Sequence, residues 1–310
     1  MHILIHRADG DTDPWVADFA ELLPEAEVVV WREGEKARPC DYALVWSPPQ
    51  AILRELSEVK AIFNAGAGVD AILKFGDALP AHVPVVRLDD AGMGVQMAEY
   101  VTHAVLRYFR RFDEYEAQAR AGQWRPLPTH RKEDFSVGVL GAGVLGGRVL
   151  EALAPFGFPL RGWSRTRKQL AGVECFSGAD GLDAFLRGTR VLVCMLPLTP
   201  DTHNLLDRAK LSSLLPSAYL INVARGAHVA EPDLLTLIKS GRIAGATLDV
   251  LRNEPLPMQH PFWQEPRITL TPHISALTVR RDSVAQIAEK IRRLEAGLPV
   301  AGLVNRQQGY

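Results

Sequence analysis

The chain has only three cysteines, Cys40, Cys175 and Cys194, and they lie far apart. Without a C-x-x-C pair, neither a zinc site nor a disulfide framework can be argued from cysteine spacing, and a reducing, cytoplasmic setting is the expectation. No H-E-x-x-H stretch occurs, and no metal is expected. There is no G-x-S-x-G elbow either, which argues against an α/β-hydrolase. No apolar run approaches the ~18 residues of a membrane-spanning helix. The opening "MHILIHRADGD" lacks a cationic leader followed by a long apolar stretch, so neither membrane insertion nor secretion is expected. The net charge of −1 exerts no global pull on nucleic acid or anionic lipid. Any anion site must therefore be local.

What the chain does have is core-forming material, with 47% hydrophobic and 23% charged residues over 310 positions. That is enough for two ordinary domains. Short apolar runs alternate with segments of helical period. "HILIH", "EVVVW", "YALVW", "VKAIFN" and "VPVVRL" read as a first series of about five strands. "FSVGVLG", "PLRGWS", "RVLVCML", "AYLINVA", "GATLDV" and "ITLTP" read as a second series of about six. Continuous apolar strands separated by helices imply parallel sheets covered on both faces. Between the series, "VQMAEYVTHAVLRYFRRFDEYEAQARAGQW" reads as one long helical segment ending at Gly122, and a last helix is expected over Thr278–Glu295. The fold class is α/β. Two doubly wound parallel-sheet domains are expected, a Rossmann-type nucleotide-binding domain (99–279) inserted into a flavodoxin-like substrate domain (1–98 and 280–310).

The second series opens on "SVGVLGAGVLGGRVLEALAPFG". Gly141, Gly143 and Gly146 fit G-x-G-x-x-G between a strand and an apolar helix, the context that gives this otherwise weak motif its meaning. The first glycine permits a tight turn, the second a close backbone approach to pyrophosphate, the third close helix–strand contact. The helix start, with Val144 and Leu145, offers N–H groups and positive potential to phosphate. A second absence becomes informative here. Ser164 follows Gly141 by 23 residues, and no acid occurs between Leu160 and Val173. An NAD site normally carries Asp or Glu at this point to bond the ribose 2′-hydroxyl. Instead come Arg165, Thr166, Arg167 and Lys168, groups that pair with a 2′-phosphate. The stretch favours NADPH, with NADH still possible.

Three further segments place polar residues just past strands: Arg225 in "LINVARGAHV", Asp249 and Glu254 in "LDVLRNEPLP", and His273 in "ITLTPHISAL". Ligands of open α/β sheets bind outside the carboxyl ends of the strands, the region of the glycine loop. Carbonyl reduction suits such a set. A protonated imidazole supplies the proton, a neighbouring carboxylate orients it and favours its charge, and a permanently charged guanidinium holds a substrate carboxylate and polarises the carbonyl.

These motifs, "GVLGAGVLGGRV", "CMLPLTPDTHNLL", "LINVARGAHVAEPDLL", "GATLDVLRNEPLP" and "TLTPHISA", resemble those of the D-isomer-specific 2-hydroxyacid dehydrogenases over nearly the whole chain. The segments "DYALVWSPP", "GAGVDAIL", "FRRFDEYEAQ", "WRPLP" and "FPLRGWSRTRK" are most similar to the A-type glyoxylate/hydroxypyruvate reductases of that family. The resemblance implies Arg225, Glu254 and His273 as catalytic residues. It implies that the backbone of Ala67, Gly68 and Val69 receives the substrate carboxylate, and that Leu196 and Pro197 run along the adenosine. It places Val223, Ala224 and Asp249 around the nicotinamide. Trp46 and Trp124 are expected beside a small 2-keto or 2-hydroxy acid, and a homodimer is implied. Two other readings stay open: a dinucleotide-sensing corepressor on the same fold, and a dehydrogenase for another 2-hydroxy acid.

Overall fold

A computed structural model describes residues 1–310. The chain runs β1 (His2–Arg7), α1 (Asp13–Leu22), β2 (Glu27–Val30), β3 (Tyr42–Trp46), α2 (Gln50–Glu55), β4 (Ala61–Asn64), α3 (Asp70–Leu73) and β5 (Val85–Arg87). It continues through α4 (Met93–Phe109), α5 (Phe112–Arg120), β6 (Val137–Leu140), α6 (Val144–Leu153), β7 (Leu160–Ser164), β8 (Val173–Ser177), α7 (Gly178–Arg187) and β9 (Val191–Cys194). It ends with α8 (Arg208–Ser213), β10 (Ala218–Asn222), α9 (Glu231–Lys239), β11 (Ile243–Leu248), β12 (Ile268–Leu270) and α10 (Arg280–Glu295). Two compact units result: Met1–Met93 with Thr278–Tyr310, and Gly94–Leu277.

The first unit carries a five-stranded parallel sheet of order β2-β1-β3-β4-β5, the flavodoxin-like order. Helix α10 belongs to this unit. Its Val284, Ile287, Ala288 and Ile291 recur at helical spacing and are buried, while Arg280 Nε donates to Asp18 Oδ2 of α1 at 2.6 Å.

The second unit carries a seven-stranded parallel sheet of order β12-β11-β10-β9-β6-β7-β8. Its chain reverses direction of growth between β6 and β9, the Rossmann switch point. Strands β6, β9 and β10 are buried along their whole length, as a sheet covered on both faces requires. The residues singled out past these strands all follow carboxyl ends: Gly141 after β6, Arg165 after β7, Leu196 after β9, Val223 after β10, Asp249 after β11 and His273 after β12.

Two expectations need correction. The second sheet has seven strands, not about six, because β8 was not recognised. "VECFS" lies at the sheet edge and is only partly buried, so it lacks the continuous apolar signature of an inner strand. The expected single long helix after β5 is two helices, α4 and α5, broken at Arg111, which adopts φ 60°. Its guanidinium holds the break. Nε and Nη2 donate to the Glu114 carboxylate at 2.7 and 2.8 Å, and Nη1 donates to Pro128 O at 2.7 Å. Periodicity shows a helical face but not such a long-range tether.

Candidate active site

In the second unit, the glycine loop is fixed by backbone geometry. Gly141 has φ +111°, and a Cβ there would lie 2.6 Å from Met195 O. A Cβ on Gly146 would overlap Gly141 O. These two glycines are thus explained by the protein itself. Gly143 is not: its negative φ is open to any residue, and nothing lies within 4 Å of where its Cβ would stand. A glycine that packing does not demand, beside the first turn of α6 with no side-chain cap, fits a site where a phosphate-bearing ligand approaches the backbone. The N–H groups of Gly141 and Ala142 both donate to Trp163 O at 2.9 Å, which brings the loop against the end of β7. Ser164 Oγ donates to Thr166 O at 2.8 Å and shapes the next turn. Arg165, Thr166 and Arg167 are exposed there, and Lys168 is half-buried. Arg167 and Lys168 also line an open cavity of about 370 Å³. Leu196 is buried, and Pro197 O accepts from Thr202 Oγ1 at 2.8 Å.

The three polar residues past β10, β11 and β12 converge. His273 Nδ1 lies 2.8 Å from Glu254 Oε2. Glu254 also accepts from Leu251 N at 2.9 Å. Burial alone would raise the Glu254 pKa, but the hydrogen bonds from His273 and Leu251 and the positive charge of His273 and Arg225 outweigh it and hold it below its ordinary value. An ionised carboxylate only accepts, so Nδ1 carries the proton in this pair and Nε2 is left to face a reactant. Both side chains are partly exposed, 45% for His273 and 39% for Glu254, which leaves the imidazole accessible. Arg225 lies near enough for its charge to act on Glu254, and its Nη1 donates to Ala224 O at 2.7 Å.

The loop carrying His273 is held by Asp249, which is 1% exposed. Its Oδ1 accepts from Thr271 Oγ1 at 2.6 Å and from Ile274 N at 2.8 Å, and its Oδ2 accepts from Ser275 N at 2.8 Å. Tyr100 in turn lies 2.5 Å from Thr271 Oγ1, and since that hydroxyl gives its proton to Asp249, Tyr100 is the donor. This grip lets His273 keep φ 56°, a left-handed conformation few non-glycine residues adopt. Asn222 works in the same way under Arg225: it is buried, donates from Nδ2 to Arg225 O at 3.0 Å, and accepts from Ala224 N at 3.2 Å. The sequence reading missed Asn222 and this use of Asp249, because the partners lie in irregular loops. Val223 and Ala224 are buried beside them.

In the first unit, the "GAGVD" turn follows β4 and leads into α3. Ala67 and Gly68 are half-buried and Val69 is buried. Asn64, 1% exposed, donates from Nδ2 to both Gly66 O and Gly68 O at 2.8 Å, so the turn's carbonyls are satisfied internally. Sequence reasoning missed Asn64 as well. Gly66 has no Cβ because the Trp46 ring occupies that space, which joins Trp46 to the turn. Trp124, by contrast, is 100% exposed within the second unit, and that unit builds no pocket around it.

A glycine loop at a Rossmann switch point and a carboxylate–imidazole pair beside an arginine define a nucleotide-dependent dehydrogenase. Residues 102–275 match the family model described as D-isomer specific 2-hydroxyacid dehydrogenase, NAD binding domain. The chain is 48% identical over 314 residues to glyoxylate/hydroxypyruvate reductase A of Serratia proteamaculans, with 100% of both chains covered. It is 49% identical to the protein of that name from Escherichia fergusonii, again with full coverage of both. Among solved structures, a D-isomer specific 2-hydroxyacid dehydrogenase from Xanthobacter autotrophicus in complex with NADPH and MES superposes with a TM-score of 0.95 at 40% identity, covering 100% of this chain and 99% of that one. An NADPH-dependent glyoxylate/hydroxypyruvate reductase from Sinorhizobium meliloti, in complex with NADP and sulfate, gives a TM-score of 0.92 at 34% identity with the same coverage. The chain belongs to the D-isomer specific 2-hydroxyacid dehydrogenases.

Proposed function

We propose that this chain reduces small 2-keto acids with NADPH, converting glyoxylate to glycolate and hydroxypyruvate to D-glycerate. The observation that carries this reading is the His273–Glu254 pair at 2.8 Å, with Arg225 close enough for its charge to act on Glu254. When bound, NADPH supplies a hydride to the carbonyl carbon. The chain's residues do the rest. His273 delivers a proton from Nε2 to the carbonyl oxygen. Glu254 accepts from Nδ1 and keeps the ring oriented with Nε2 toward the reactant. Arg225 holds the substrate carboxylate and polarises the carbonyl. Gly141, Gly143, Val144, Leu145 and Gly146 receive the pyrophosphate, Ser164 to Lys168 the 2′-phosphate, and Leu196 and Pro197 the adenosine. Val223, Ala224 and Asp249 serve the nicotinamide. In the first unit, the backbone of Ala67, Gly68 and Val69 is assigned to the substrate carboxylate, with Trp46 limiting its size. We assign residues 1–98 and 280–310 to the substrate domain and 99–279 to the dinucleotide-binding domain. Cytoplasmic placement and a homodimer complete the reading.

The decisive experiment follows absorbance at 340 nm with glyoxylate, hydroxypyruvate and pyruvate, each with NADPH and NADH. Glyoxylate and hydroxypyruvate should be the better substrates, and NADPH the better cofactor. Absence of turnover with every 2-keto acid defeats the proposal.

Replacing Arg165 and Arg167 together with Ala should raise the NADPH KM about tenfold or more, the size expected for lost charge-assisted hydrogen bonds, with little effect on NADH. Equal effects on both cofactors remove the phosphate assignment.

Glu254→Gln keeps the side-chain shape but loses its charge. The variant lacks the anion that accepts from Nδ1 and orients the ring. The kcat/KM for glyoxylate should therefore fall about tenfold or more, with NADPH Kd changed less than about twofold, because an amide in place of the carboxylate no longer holds Nδ1 as an ionised acceptor does. Stability should depend on pH through Glu254 itself. The folded Glu254 pKa lies below its ordinary 4.5, so its contribution to stability is complete above that value and lost as pH falls through the folded one. The variant should lose no further stability across that acid window through this group.

A further inference from the structure

The imidazole of His228 is completely buried, at 0% exposure, and takes no part in the chemistry described above. It sits at the end of the short 3₁₀ turn Gly226–His228 that follows Arg225. Its Nδ1 lies 3.2 Å from Arg225 N and 3.0 Å from Arg225 O, and its Nε2 lies 3.2 Å from Pro197 O. The tautomer follows from its neighbours. Arg225 O already accepts from Asn222 Nδ2 at 3.0 Å and from His228 N at 3.2 Å, which uses both of its lone pairs. Nδ1 is therefore the acceptor for the Arg225 N–H, and Nε2 carries the proton toward Pro197 O. That carbonyl has room for it beside its other donor, Thr202 Oγ1 at 2.8 Å. The backbone around His228 is held too: Leu206 N donates to His228 O at 2.9 Å, and Asn204 N donates to Ala227 O at 2.8 Å.

The geometry points to His228 as a positioning residue for substrate binding: one buried ring fixes the Arg225 peptide against the Pro197 segment after β9, and so sets where the Arg225 guanidinium stands. This rests on the assignment of Arg225 to the substrate carboxylate. The part-buried Arg225 N–H loses its ring acceptor if Nδ1 is removed, and a guanidinium aimed at a small acid tolerates little displacement of its own main chain. A histidine meets both demands at once because its two ring nitrogens offer an acceptor and a donor at different edges of one rigid, planar ring.

Three substitutions separate the two ends of the ring. His228→Leu removes both partners at similar volume. His228→Asn retains an oxygen where Nδ1 accepts, and His228→Gln retains an amide where Nε2 donates. Each variant is compared with the wild-type protein for glyoxylate KM and kcat, for the Kd of oxalate in the NADPH complex by fluorescence, for NADPH Kd and for melting temperature. His228→Leu should raise glyoxylate KM and oxalate Kd about tenfold or more, with NADPH Kd changed less than about twofold, a separation expected only when the Arg225 end matters. His228→Asn should recover most of the loss, whereas His228→Gln should not. A fall in melting temperature with glyoxylate KM and oxalate Kd unchanged overturns the inference by showing a purely structural ring. Equal defects in the Asn and Leu variants overturn it as well. If the wild-type protein turns over no 2-keto acid yet binds oxalate, the proposed reaction fails while the oxalate series still decides the role of His228. If it does neither, both fall.

Discussion

His273→Asn is expected to lower kcat for glyoxylate reduction by about 10²–10⁴-fold, the usual range for losing a positioned general acid, while NADPH Kd stays within about twofold. Asn is the informative replacement because of the backbone. His273 stands at φ 56°, where Asn is tolerated far better than Ala. The main-chain bond from His273 N to Asp249 O at 2.8 Å and the Asp249 bonds to Ile274 and Ser275 can then persist. Loss of rate then reports the missing imidazole rather than a displaced loop. The cofactor residues past β6 and β7 do not depend on this side chain, so binding measured by NADPH fluorescence should be preserved. Turnover within tenfold of wild type would place the proton donor elsewhere. A parallel loss of NADPH affinity would show instead that the loop had moved.

The division between what was legible in the sequence and what was not follows the range of the interactions. Strands β6, β9 and β10 are buried throughout and announce themselves as continuous apolar runs. Strand β8, at the sheet edge, carries Glu174 between Val173 and Cys175 and is exposed in part, so no run marks it. The break at Arg111 depends on Pro128, 17 residues away, a separation that no periodicity conveys. The glycine loop and its basic sequel were readable because the nucleotide motif is local: glycines at fixed spacing, then a strand, then the polar turn. Arg225, Glu254 and His273 stood out because each lies just past a strand or shortly after Asp249. The residues that hold them did not. Asp249 reaches Ile274 and Ser275 across 25 and 26 residues, and His228 reaches Pro197 across 31. Asn64 and Asn222 act on turns only two to four residues away, but asparagine beside a turn is common enough to carry little information alone. The chemical groups were visible, whereas their supports required the fold.

The second large effect expected is that of Gly226→Ala, a single methyl group on the residue after Arg225. Gly226 is buried, and a Cβ on it would fall inside the main chain of Leu251 and Arg252. Those atoms cannot yield as a flexible side chain would. Arg252 N donates to Glu231 Oε1 at 2.9 Å, its Nη2 donates to Val229 O at 2.7 Å, and Leu251 N donates to Glu254 Oε1 at 2.9 Å. The methyl group therefore pushes apart two segments of the second unit, one bearing Arg225 and the other bearing Glu254. Overpacking of this kind costs about 1–3 kcal/mol, which should appear as a lower melting temperature. The larger consequence is for catalysis, because a displacement near 1 Å at a catalytic group can lower the rate about 10²-fold. Here Arg225 and the partner of His273 shift together. The expected result is a fall in kcat/KM of about 10²-fold or more, with NADPH Kd changed little, since Gly141, Gly143 and the turn after β7 lie on other strands. Measurement below the melting transition, in saturating NADPH, separates this from simple unfolding. A folded variant with kcat/KM within about threefold of wild type would mean that the Leu251–Arg252 chain relaxes without moving Glu254, and that the close approach at Gly226 serves packing alone.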